Sequence, residues 1–130
     1  MARILVVDDE PDIASSIKVG LERRGYQVDS FTSSVEALGR FNLGSYQLVI
    51  VDVRMPVMDG FQFAREIRKL DPAVKVRFLT AFDVSRGEFE KALPGHDYGS
   101  LIQKPLMIEQ LALVIKNSLL PASVPGAAQL

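Results

Sequence analysis

A chain of 130 residues, 48% of them hydrophobic, is long enough to bury one core without staples, and the absence of cysteine rules out a disulfide framework or thiolate metal site. Fifteen basic and sixteen acidic residues leave a formal charge of −1, which argues against nucleic-acid binding by this domain itself. No apolar run approaches membrane-spanning length and the Met1–Val7 start is too short for a signal peptide, so a cytoplasmic protein is expected.

Arg3-Ile4-Leu5-Val6-Val7 is an apolar run of strand length that ends in Asp8-Asp9-Glu10. Pro11 suits a first helical turn, and Ile13, Ile17 and Leu21 form one stripe of a helix over 11–24 that Gly25 stops. Tyr26 to Phe31 reads as a more polar strand near an edge. Ser33 or Ser34 caps a helix to about Phe41, buried through Val35, Leu38 and Phe41. Gln47 to Val51 is a third strand, apolar and largely β-branched from Leu48 on, hence buried on both faces. It delivers Asp52 to its carboxyl end before Met55-Pro56.

Asp59-Gly60 turns the chain into a helix over 61–70, with Phe63 or Ala64, Ile67 and Leu70 inward, and Asp71-Pro72 ends it. Val74 to Leu79 is a fourth strand leading to Thr80-Ala81. A short helical pattern over 83–93 buries Phe89, Ala92 and Leu93 before Pro94-Gly95. Tyr98 to Gln103 is a weak fifth strand, followed by Lys104-Pro105. The last helix, over 107–119, aligns Ile108, Leu111, Ala112, Ile115 and Leu119. Residues 121–130 read as a flexible tail or the start of a linker, leaving one domain over 1–120. Five alternations of strand and helix predict an α/β fold: a doubly wound, five-stranded parallel sheet with helices on both faces.

In a parallel sheet, Asp8, Asp9, Asp52, Thr80 and Lys104 all leave from the same edge, outside which ligands bind in open α/β folds. Two like charges about 4 Å apart repel by roughly 4 kcal/mol at an effective dielectric near 20. A hard divalent cation removes that conflict, and Mg²⁺ uses one or two carboxylates while keeping positions for water and phosphate oxygens. Lys104 supplies a compact positive charge and Thr80 a hydroxyl. Asp8-Asp9 alone reads equally well as a helix N-terminal pair. Asp52 tips the balance to the metal.

Asp8-Asp9, Asp52 ahead of Met55-Pro56 and Asp59-Gly60, Thr80-Ala81 and Lys104-Pro105, in this order and each at a strand end, resemble the response-regulator receiver domain of two-component signalling. The resemblance spans residues 3–119 and implies a flavodoxin-like, chemotaxis-regulator-like fold. It implies that Asp52 accepts a phosphoryl group from a sensor histidine kinase or histidine phosphotransfer protein. Asp9 and Asp52 would ligate Mg²⁺ directly and Asp8 through water, with the Arg54 main-chain carbonyl as a further ligand. Thr80, Ala81 and Lys104 would contact the phosphoryl group, while Arg54 and Phe82 would tune its lifetime. Such a domain is a switch that assists its own phosphorylation and hydrolysis, not a conventional enzyme. Its output surface would be residues 84–119, toward an output domain, a target protein or a second copy. Leu101 occupies the position where receivers often carry Tyr or Phe as a rotamer switch. Tyr98 lies on the opposite strand face unless Gly99-Ser100 bulges, so Thr80 is expected to move without an aromatic partner.

Other readings fit less well. A phosphohydrolase with an aspartyl nucleophile would need a second acid where Arg54 stands. A nucleotide or flavin module would need a phosphate-cradling glycine loop, which is missing. A receiver-like binding domain that is not phosphorylated is opposed by the full acid set. His96 reads as surface, and Arg23, Arg24, Arg65, Arg68 and Lys69 as solvated helix faces.

Overall fold

The structure, a computed structural model, describes residues 2–81, 84–95, 101–104 and 107–120. Its elements are β1 (Arg3–Val7), α1 (Pro11–Glu22), β2 (Gln27–Phe31), α2 (Ser34–Arg40), β3 (Leu48–Asp52), α3 (Gly60–Leu70), β4 (Lys75–Thr80), α4 (Arg86–Ala92), β5 (Leu101–Gln103) and α5 (Ile108–Ser118). The expectations for Phe82, His96, Tyr98, Gly99-Ser100, Pro105 and the tail from 121 fall outside the described residues. All five strands are parallel in one sheet of order β2-β1-β3-β4-β5, the doubly wound arrangement anticipated from the alternation.

The pleat divides the core into two layers. Leu5, Val7, Val49, Val51 and Phe78 pack with α2, α3 and α4 residues on one face, and Phe61, Phe78 and Phe89 meet ring to ring there, with centroids 5.2–5.9 Å apart. Ile4, Val6, Leu48, Ile50 and Leu79 pack with α1 and α5 on the other. Residues i and i+2 share a face. The register sets Val7 beside Val51, and Asp52 beside Leu79. Asp8 and Asp52 therefore continue the α1/α5 face, one step beyond Val6 and Ile50.

Two inward assignments fail for a common reason. Val35 is 48% exposed, because the neighbouring Ser34 takes the buried place and its hydroxyl donates to the Met58 carbonyl at 2.6 Å. Leu70 is 49% exposed, because Asp71 turns in to accept the Gly44 and Ala73 N–H groups. In each case a polar group that satisfies backbone displaces an apolar neighbour outward. Arg68 is also not a plain solvated residue: it is partly buried beside Arg77, and burial followed by that second guanidinium lowers its pKa.

At the amino end of β4, Lys75 Nζ donates to the carbonyls of Ser118 (2.6 Å) and Leu120 (3.2 Å), and Arg77 Nε donates to Ser118 Oγ (2.9 Å). The ammonium satisfies orphan carbonyls at the negative end of α5. Lys75→Met, which keeps the apolar stem, is expected to cost about 1–2 kcal/mol in chemical denaturation. An unchanged midpoint would show that water replaces the lysine at no cost.

Candidate phosphoryl-transfer site

Three chain segments converge at the carboxyl edge of the sheet. β1 leads into Asp8, whose backbone N–H donates to the Phe31 carbonyl at 3.1 Å and whose Oδ1 accepts the Glu10 N–H at 3.0 Å. This Asx turn folds the acidic run over the strand end and starts α1. β3 ends in Asp52, and β5 leads to Lys104, whose N–H donates to the Thr80 carbonyl at 2.6 Å.

Lys104 Nζ lies 2.8 Å from Asp8 Oδ2, 3.4 Å from Asp52 Oδ2 and 3.7 Å from Glu10 Oε1. Asp8 is fully buried, the Asp52 side chain is 8% exposed and that of Lys104 12%. Burial, then the nearby Asp8 charge, push the Asp52 carboxyl up to about 6; Lys104 and the Arg54 N–H oppose the shift. Burial alone would lower the Lys104 pKa, but the hydrogen bond and charge of Asp8, with Asp52, carry it above its ordinary value. One ammonium thus serves a crowd of carboxylates and does not fully compensate them.

The carboxylates whose oxygens come within 4.8 Å of one another are Asp8, Glu10 and Asp52. Asp9 stands partly buried outside that trio. Glu10 was not among the residues expected at the site; the Asx turn at Asp8 brings it there, and hydrophobic periodicity does not register such a turn. Thr80 is fully buried at the end of β4, Ala81 is exposed just beyond it, and Arg54 is exposed two residues past Asp52. Leu101 is partly buried against the α2–α4 core, opposite Phe78 in the register.

Gly60, the first residue of α3, is the reason β3 and α3 can meet here. A Cβ at this position would overlap the Asp52 carbonyl oxygen and lie 3.0 Å from Val53 Cα. Its N–H donates to the Val53 carbonyl at 2.8 Å, closing the base of the 53–59 loop. Asp59 and Gln62 cap α3 reciprocally, at 2.8 and 2.9 Å. At the tip, Met58 N–H donates to the Pro56 carbonyl at 2.8 Å around Val57, whose φ is +69°. That is a γ-turn with a positive central φ, a rare and strained turn, here built on a β-branched residue.

The fold is that of a known signalling family. A match to the response regulator receiver domain covers residues 4–116. The chain belongs to that family. Among its relatives, the transcriptional regulatory protein PcoR of Escherichia coli is 34% identical over 92% of this chain and 52% of its own length. The response regulator receiver protein CpdR of Brucella abortus is 30% identical over 94% of this chain and 100% of its own. This receiver thus spans about half the length of PcoR and the whole of CpdR. The solved Thermotoga maritima response regulator TrrA, in complex with Mg²⁺-BeF, is 37% identical, with a TM-score of 0.77 over 92% of this chain and 100% of TrrA. TrrA has also been solved in complex with the histidine kinase ThkA. No helix among the described residues of the receiver is long and apolar enough to cross a membrane.

Proposed function

We propose that this receiver accepts a phosphoryl group on Asp52 from the phosphohistidine of a sensor histidine kinase or histidine phosphotransfer protein. The observation that carries the reading is the placement of Lys104 among Asp8, Glu10 and Asp52 at the sheet edge. An Asp52 oxygen attacks phosphorus as the P–N bond to the donor imidazole breaks, and an acyl phosphate forms on the side chain.

The donor set suits Mg²⁺: hard carboxylate oxygens, close together and short of positive charge. Asp9 and Asp52 would hold the ion directly, Asp8 through water and Arg54 through its main-chain carbonyl, with Glu10 near enough to join them. Bound there, the ion would neutralise the charge that builds up on the transferring oxygens. Lys104 follows the negative charge onto the phosphoryl group. Thr80 contributes its hydroxyl and Ala81 its unobstructed N–H. The same groups would position water for hydrolysis, so that the domain resets itself.

The switch runs from Thr80 through the region 84–119, with Leu101 rather than an aromatic residue beside it. Residues 1–120 form the receiver and 121–130 a tail or linker, in a cytoplasmic protein whose output domain, target or homodimer partner reads that region. The kinase complex of TrrA and the Mg²⁺-BeF complex of the same relative support the partner and the ion. Incubation with a small-molecule phosphodonor is expected to add one phosphoryl mass, only with Mg²⁺, and not in Asp52→Asn. A gain in mass without Mg²⁺, or one that survives in the variant, would overturn the assignment.

A further inference from the structure

The sheet has two outer strands, β2 and β5. An outer strand presents a row of backbone N–H and C=O groups, and that row is a template for pairing with another chain. The hydrogen bonds of β2 show which residues form its row. Gln27 N–H donates to the Ala2 carbonyl, and the Phe31 carbonyl accepts the Asp8 N–H, so the odd-numbered residues of β2 point in toward the first strand. Val28 and Ser30 therefore point outward. A hollow of about 650 Å³ lies along this side of the molecule, with Lys18, Asp29, Ser30 and Arg40 in its wall, so no described element covers the edge there.

One group of the row is taken. Lys18 Nζ donates to the Val28 carbonyl at 2.8 Å and to Glu22 Oε2, also at 2.8 Å. The sequence puts the lysine in this place. Ala14, Ile17 and Leu21 are the buried stripe of α1, and Ile17 and Leu21 share a core layer with Val28. Lys18 follows Ile17, at the rim of that stripe, and its long stem carries the ammonium past the sheet face to the strand edge. Glu22 stands one turn on and holds the ammonium from behind. An exposed ion pair adds little to stability by itself. What distinguishes this one is the strand carbonyl that its lysine also occupies.

We propose that Lys18 is an edge guard, which closes the outer side of β2 to strand addition by a second copy of this chain. An incoming strand would lie about 4.8 Å from β2, and the Val28 carbonyl would accept an N–H from it. The ammonium sits on that carbonyl. In a symmetric pair of β2 strands both lysines would have to leave, and each would leave as a charge beside the other. With β2 closed, contact between copies is directed to the rest of the surface.

The test is self-association of the full, unphosphorylated chain, followed by sedimentation at rising concentration, with exchange of the Val28 and Ser30 amides read by NMR. Lys18→Met keeps the stem but loses the charge and the donor, Lys18→Ala loses both without adding an apolar tip, and Lys18→Arg keeps both. A hydrogen bond from a charged group is worth roughly tenfold in an equilibrium constant, and a symmetric pair displaces two of them. Lys18→Met and Lys18→Ala are therefore expected to associate roughly hundredfold more tightly than the wild type, with slower exchange at Val28 and Ser30 as concentration rises. Lys18→Arg should match the wild type. The inference is overturned by neutral variants that associate no more than the wild type, by equal association of Lys18→Arg, or by association that leaves the two amides unprotected. Should Lys18→Met fail to fold, Lys18→Ala decides. No phosphoryl group enters the experiment, so its outcome is independent of the role given to Asp52.

Discussion

Asp52→Asn is expected to make the unphosphorylated protein more stable than the wild type at pH 8, by about 3 kcal/mol, in urea or thermal unfolding. The sign follows from the direction of the shift. In the unfolded chain the carboxyl titrates near 3.8, and in the fold at about 6, chiefly through burial and then the charge of Asp8. Ionised Asp52 is therefore a destabilising group. Its penalty is full above about pH 6, shrinks as pH falls toward 3.8, and is absent below that value, where both states are protonated. Asn stands in for the neutral acid, so the stability gap should be widest at pH 8 and close by about pH 4. The 2.8 Å pairing of Lys104 with Asp8 does not involve Asp52 and should persist in the variant. Millimolar Mg²⁺ should narrow the gap at pH 8 by stabilising the wild type more. A gap that is constant with pH would show that the carboxylate is already well compensated by Lys104.

Among the described glycines, Gly60 is expected to be the one at which an added methyl does most damage. The added carbon overlaps the Asp52 carbonyl oxygen and crowds Val53 Cα, so rigid backbone on both sides must move. Overpacking of this kind costs about 3 kcal/mol, and here the strand that gives way carries the nucleophile. Phosphorylation by a small donor should fall along with stability. Gly39→Ala is the control: nothing lies within 4 Å of the new carbon in α2, and a helical glycine replaced by alanine should gain about 0.5–1 kcal/mol. If both substitutions behaved alike, close approach of α3 to β3 would not be what Gly60 provides.

The sheet was legible chiefly through β1, β3 and β4, short apolar runs with acids or a threonine at their ends, and a parallel sheet gathers those ends on one edge. Asp8, Asp52 and Lys104 meet there as expected. Their detailed arrangement was not legible, since it depends on backbone satisfaction, which hydrophobic periodicity does not register. The Asp8 turn that recruits Glu10 is one instance. Ser34 and Asp71, which take buried places expected of Val35 and Leu70, are two more. In seven-residue α2, a stripe holds too few residues to outvote one such hydrogen bond. The positive φ of Val57 had no sequence signal at all, because glycine or asparagine is the residue that announces it.

The most direct measurement is chemical mapping of the phosphoryl group. Borohydride reduces an acyl phosphate to an alcohol and so turns a phosphorylated aspartate into homoserine. After treatment with a small phosphodonor and Mg²⁺, peptide mass spectrometry should find homoserine at position 52 and nowhere else. Conversion at Asp8, Asp9 or Glu10, or at no residue despite a bound phosphoryl group, would contradict the role given to Asp52.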